Sequence, residues 1–109
     1  MPKKNLDHAS MPLDVLQLLA EWGEAIYRER SQQRITVRDF ALRINVSTQT
    51  LARIERGDSA AQAGTYLAAL WALGLLNEVA PPLPQALLLL PGSRRGRVRK
   101  PPQEPDDGL

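Results

Sequence analysis

Thr36-Val37-Arg38-Asp39-Phe40-Ala41-Leu42-Arg43-Ile44-Asn45-Val46-Ser47-Thr48-Gln49-Thr50-Leu51-Ala52-Arg53-Ile54-Glu55-Arg56-Gly57 reads as two short helices joined by a tight turn. Thr36 is a good N-cap, and Asp39 follows three residues on, as in a capping box. Phe40, Ala41 and Ile44 share one face, and the small Ala41 lets two backbones approach at a crossing. Asn45 is the non-glycine residue best suited to a left-handed turn. Ser47 can cap the next helix, and Gly57 can stop it. Phe40, Ile44, Val46, Leu51 and Ile54 fill the wedge between the helices. Thr48, Gln49, Ala52, Arg53 and Arg56 lie on the opposite face and stay polar, apart from Ala52.

Before this unit, Leu16, Leu19, Gly23, Ile26 and Arg30 recur at spacings of three and four, flanked by Ala20 and Tyr27. The spacing predicts a helix from Leu13 to near Gln33. Beyond the unit, residues 58–63 read as a connector. Thr65 is placed to cap a fourth helix running to Leu73, with Leu67, Ala68, Leu70 and Trp71 apolar and Gly74 closing it. Leu75 to Ala80 suit a short fifth helix. Pro81-Pro82-Leu83-Pro84 breaks the pattern, and seven of the nine prolines lie at or after residue 81. The expected organisation is an N-terminal arm over 1–12, a helical domain over 13–80 and a Pro-rich tail over 81–109, basic and then acidic. Both tails are expected to be flexible. No internal repeat is visible.

Composition narrows the chemistry. A chain of 109 residues with 43 % hydrophobic content suits one small core. All five aromatics fall between Trp22 and Trp71, which centres that core in mid-chain. There is no cysteine, so disulfides and thiolate metal sites are excluded. The only histidine, His8, lies in a polar N-terminal stretch and reads as a solvated tail residue. No nucleophile–base pair, metal cluster or glycine-rich phosphate loop appears, so the chain does not read as an enzyme and calls for no cofactor or metal. No secretory h-region follows the N-terminus, and Ala86 to Pro91 is too short an apolar run to span a bilayer. A cytoplasmic protein without a membrane partner is expected.

The formal net charge is only +2, but it is unevenly placed. Residues 28–56 hold seven arginines against three acids, and residues 94–100 hold five basic residues and no acid. Two basic concentrations suit a polyanionic partner; the alternative is arginines that merely solvate helix surfaces.

The stretch from Thr36 to Gly57 resembles the phage-repressor or Xre-type helix-turn-helix family, through Ala41, the turn residue, five apolar positions and the closing Ile54-Glu55-Arg56-Gly57. A looser resemblance extends over residues 16–76. It implies an all-α, five-helix repressor-like domain that dimerises on double-stranded operator DNA. It also implies residue roles. Thr48, Gln49 and Arg53 would contact bases, Gln49 by pairing with adenine. Arg38, Arg43, Ser47 and Arg56 would contact the phosphate backbone, with Arg56 also within reach of guanine edges. Arg30 and Glu55 match a partly buried structural ion pair between the first and third helices. Two departures stand out. Val37 replaces a frequent glutamine that bonds phosphate, and it is left either exposed or against a sugar edge. Asn45 replaces the usual turn glycine.

Gly64-Thr65-Tyr66-Leu67-Ala68-Ala69-Leu70-Trp71-Ala72-Leu73-Gly74-Leu75-Leu76, with Ile54-Glu55-Arg56-Gly57-Asp58 before it, resembles HipB-type antitoxins. Such proteins bind operator DNA as dimers, repress their own operon and hold a HipA-like kinase toxin inactive. Three readings follow: an autoregulating antitoxin, a stand-alone repressor, or a protein-interaction module without DNA binding. Trp22 and Trp71 are expected as core or dimer-interface anchors. Leu87 to Leu90 would be covered by a partner chain or by folding back on the core. Arg94 to Lys100 would grip phosphates or act as a solubility tail.

Overall fold

The computed structural model describes residues 10–89, and within them six helices and no strand occur. They are α1 (Leu13–Gln32), α2 (Val37–Arg43), α3 (Thr48–Glu55), α4 (Ala63–Ala72), α5 (Leu76–Val79) and α6 (Gln85–Leu88). The all-α expectation agrees with this architecture; α1 to α5 lie within residues 13–80, and α6 falls in the expected tail. His8, the Arg94–Lys100 run and most of both expected tails lie outside the described residues.

α1 is the long strut, packed against α3 and α4, while α2 packs on α3. Ile26 from α1, Phe40 from α2, Leu51 and Ile54 from α3, and Tyr66 and Leu70 from α4 are the largest side chains fully shut from solvent. α1 comes close to α3 because residue 23 is glycine: a Cβ there would meet the Ile54 carbonyl oxygen at 2.4 Å. Trp22 stands beside it, edge-to-face on Tyr66 with ring centroids 6.0 Å apart.

The four longer helices end in one way. In each, the second residue past the helix is left-handed: Arg34 (φ 59), Asn45 (φ 60), Gly57 (φ 78) and Gly74 (φ 83). Its amide bonds back to a carbonyl three residues earlier, as Asn45 does to Leu42 at 3.2 Å. The next amide reaches five residues back: Ile35 to Arg30, Val46 to Ala41, Asp58 to Arg53 and Leu75 to Leu70, at 2.8 to 3.1 Å. This is the paired-bond Schellman stop, which satisfies carbonyls that a helix end leaves without partners.

Several local expectations need correction. Gln62, not Thr65, is the N-cap of α4, and it caps without a side-chain hydrogen bond. The Thr65 amide bonds the Gln62 carbonyl at 3.0 Å, so Thr65 is already inside the first turn. Trp71 is 70 % exposed and is no core anchor. The phase of α4 gives Tyr66, Ala69 and Leu70 to the core and turns Trp71 outward. The prolines at 81–84 do not end regular structure. Pro84 precedes α6 in an extended conformation (φ −60, ψ 143), where its missing N–H costs no helical bond. Leu87, Leu88 and Leu89 on and after α6 are exposed, so they do not fold back on the core.

Candidate nucleic-acid interface

Local chemistry sets the position of α3. The Thr36 side chain accepts from the Asp39 amide at 3.1 Å and caps α2. The turn through Ile44, Asn45 and Val46 then delivers Ser47, whose Oγ accepts from the Thr50 amide at 3.0 Å and donates to Thr50 Oγ1. Ser47 thus opens α3, and its hydroxyl is occupied by the cap. Leu51 and Ile54 face inward. Thr48, Gln49 and Arg56 are exposed, and Ala52 and Arg53 are half-buried beside them. At about 100° per residue, positions 48, 49, 52, 53 and 56 form one outward stripe. Arg38 and Arg43 are exposed on α2. Val37, also on α2, is 37 % exposed, so it is not part of the core.

The far side of α3 is braced by the expected ion pair. Arg30 Nε donates to Glu55 Oε2 at 2.6 Å and Arg30 Nη2 to Glu55 Oε1 at 3.1 Å. Their side chains are only 9 % and 11 % exposed. Arg30 Nη1 donates to the Ile35 carbonyl at 2.9 Å, which secures the end of α1 as well. The guanidinium stacks 5.7 Å over the Tyr27 ring centre. Hydrogen bonding to Glu55 raises Arg30 above the usual arginine value, against the lowering effect of burial. The pair is a fixed strut between α1 and α3.

Arg53 is not free on the outward stripe. Its Nε donates to Asp58 Oδ2 at 2.7 Å, with the two side chains 40 % and 27 % exposed. Residue order alone did not suggest this, because the pair crosses the end of α3. An aspartate directly after the Gly57 stop was the available signal. Asp58 Oδ1 also accepts from the Ala60 amide at 2.8 Å, a local turn typical of aspartate. The Asp58 carbonyl accepts from the Tyr66 hydroxyl at 2.7 Å. Burial pushes the Tyr66 phenol up to about 12, with the Asp58 charge adding to that rise.

The site thus combines a capped, braced helix, an outward stripe of hydrogen-bonding side chains, and exposed arginines at its flanks. A helix of about 10–12 Å diameter fits the major groove of B-DNA, and such a stripe can read base edges there. Residues 26–74 match the helix-turn-helix family. The match spans from the fully buried Ile26 through the left-handed Gly74, so it covers the ion pair, the turn and the outward stripe. It supports a DNA-binding regulator. No curated protein and no solved structure matches the chain. Among the described residues, no group of acidic, histidine or cysteine side chains is placed to hold a metal ion. No helix there is long and apolar enough to cross a membrane.

Proposed function

We propose that the protein is a sequence-specific transcriptional repressor that binds operator DNA as a homodimer with α3 in the major groove. The observation that carries this is the outward stripe of α3, which is polar apart from Ala52 and belongs to a helix tied to α1 by the Arg30–Glu55 strut. In this reading Thr48, Gln49 and Arg53 meet base edges, and Arg38, Arg43, Ser47 and Arg56 border the phosphates. A two-fold dimer would set two α3 helices ~34 Å apart, one turn of DNA. Repression follows from steric exclusion of polymerase. The exposed Trp71 and the leucines of α6 supply apolar surface for the second copy.

Within that class, the resemblance of residues 64–76 favours an autoregulating HipB-like antitoxin, with a HipA-like kinase as its protein partner. A kinase-like gene beside this one separates the antitoxin from a stand-alone repressor.

The test is binding of the purified chain to its own upstream DNA at two salt concentrations, with a scrambled duplex as control. Tight, selective and salt-weakened binding is expected. Absent or unselective binding would redirect attention to a protein-interaction role centred on α6 and Trp71.

A further inference from the structure

We infer that Asp58 is a specificity-determining residue, which acts by holding the Arg53 guanidinium in one orientation on the reading face. This rests on the DNA-binding reading above and adds a role for a residue outside α3.

The first support is the rigidity of Asp58. Its amide donates to the Arg53 carbonyl at 3.1 Å. Its Oδ1 accepts from the Ala60 amide at 2.8 Å, and its carbonyl accepts from the Tyr66 hydroxyl at 2.7 Å. Tyr66 is in turn 1 % exposed and fully enclosed by the core. The Asp58 carboxylate is therefore a fixed post, bonded on one side to the end of α3 and on the other to α4.

The second support is the chemistry of the pair. Oδ2 takes the Nε of Arg53 at 2.7 Å. A guanidinium is planar, so fixing Nε and the chain stem fixes the plane. The distal fork of Nη1 and Nη2 is the edge that can pair side by side with guanine O6 and N7. Arg53 follows Gln49 by four residues, about one helical turn along the same stripe. An arginine held this way reads a base without first losing rotamer freedom on binding. The pairing also cancels most of the charge of Arg53 at long range. Arg53 then contributes to base choice and little to general phosphate attraction, unlike Arg43 and Arg56, which form no ion pair among the described residues.

The test uses the full chain and a randomised duplex library. Preferred sites are selected with the wild type, Asp58→Asn, Arg53→Ala, the double variant and Arg53→Lys, and thermal melting is recorded for each. Asp58→Asn keeps an oxygen for the Ala60 amide but loses the ionic hold on Arg53. Asp58→Asn and Arg53→Ala should each lose the same base-pair preference, by roughly five- to tenfold. The double variant should lose no more than either alone. Asp58→Asn should also bind random duplex about two- to threefold more tightly and with steeper salt dependence, because it releases a cation. Arg53→Lys leaves Asp58 in place and should lose the same preference for want of a planar fork.

The inference is overturned if Asp58→Asn retains the base preference, or if Arg53→Lys keeps it. It is also overturned if Asp58→Asn weakens every sequence alike in step with a lower melting temperature, since Asp58 would then serve folding alone. If the wild type selects no duplex, the DNA-binding reading itself falls, and the inference falls with it.

Discussion

A methyl group added to Gly23 would stand 2.4 Å from the carbonyl oxygen of Ile54 and 2.7 Å from that of Glu55. Both obstacles are backbone, so neither can rotate away. Gly23→Ala should force α1 off α3 and cost ~2–3 kcal/mol, the range of strong overpacking. In a domain of this size that lowers the melting temperature by roughly 10–20 °C, which calorimetry would register. An unchanged melting temperature would show that the helices can part at no cost.

Removing one member of the Arg30–Glu55 pair strands the other in a site about one-tenth exposed. Glu55→Ala should therefore destabilise the protein by ~3–5 kcal/mol in denaturant unfolding. Arg30→Met combined with Glu55→Leu should recover most of that loss, because no charge is then left buried. If the double variant is as unstable as the single one, the pair contributes more than its own desolvation explains.

Alkaline stability should be governed by Tyr66, one of two tyrosines in the chain. Its phenol is held near 12 in the fold by burial and by the Asp58 charge, while an unfolded tyrosine ionises near ~10. Between these values the unfolded chain has released a proton that the folded chain retains, so stability falls as pH rises through that window, by at most ~1.4 kcal/mol per pH unit. Spectrophotometric titration should show one tyrosine ionising well above the ordinary range. Tyr66→Phe should remove that late step and flatten the loss of stability.

Two substitutions separate base reading from backbone holding. Gln49→Ala should cost ~1–3 kcal/mol on the preferred duplex and little on random DNA. Arg43→Ala should weaken all sequences alike and reduce the slope of affinity against salt. Titrations on specific and scrambled duplexes at several salt concentrations check both. Uniform weakening by Gln49→Ala would remove it from the base-reading set.

What could be foreseen from residues alone was local chemistry with a recognisable signature. Thr36 and Ser47 announce themselves as caps, Asn45 as a left-handed turn and Gly57 as a stop, and the structure places each so. The Arg30–Glu55 pair came from resemblance, since no spacing rule joins residues 25 positions apart. Less visible were features that tertiary context decides. Arg34 takes a left-handed conformation that arginine does not favour, because Ile35 must return to the core and its amide must reach the Arg30 carbonyl at 3.0 Å. Trp71 turns outward because the core surface of α4 is narrow and already filled by Tyr66, Ala69 and Leu70. The Arg53–Asp58 bond spans a helix end, where periodicity carries no information. α6 follows three prolines that read as breakers, yet Pro84 sits where a helix tolerates it.

The repeated left-handed stops have a consequence for how this surface can change over time. Each of the four longer helices ends through main-chain bonds and a left-handed residue two positions beyond it, so the length and direction of α3 are set by Ser47 before it and Gly57 after it. The inward residues Leu51 and Ile54 and the strut residue Glu55 do the rest. Thr48, Gln49, Ala52 and Arg56 belong to none of these duties. These four positions can change at little cost to the scaffold, whereas any exchange of Arg53 also removes its ionic hydrogen bond to Asp58. On the proposed DNA-reading role, a lineage built on this frame would acquire new targets by drift at those four sites, with a change at position 53 also breaking the bond to Asp58.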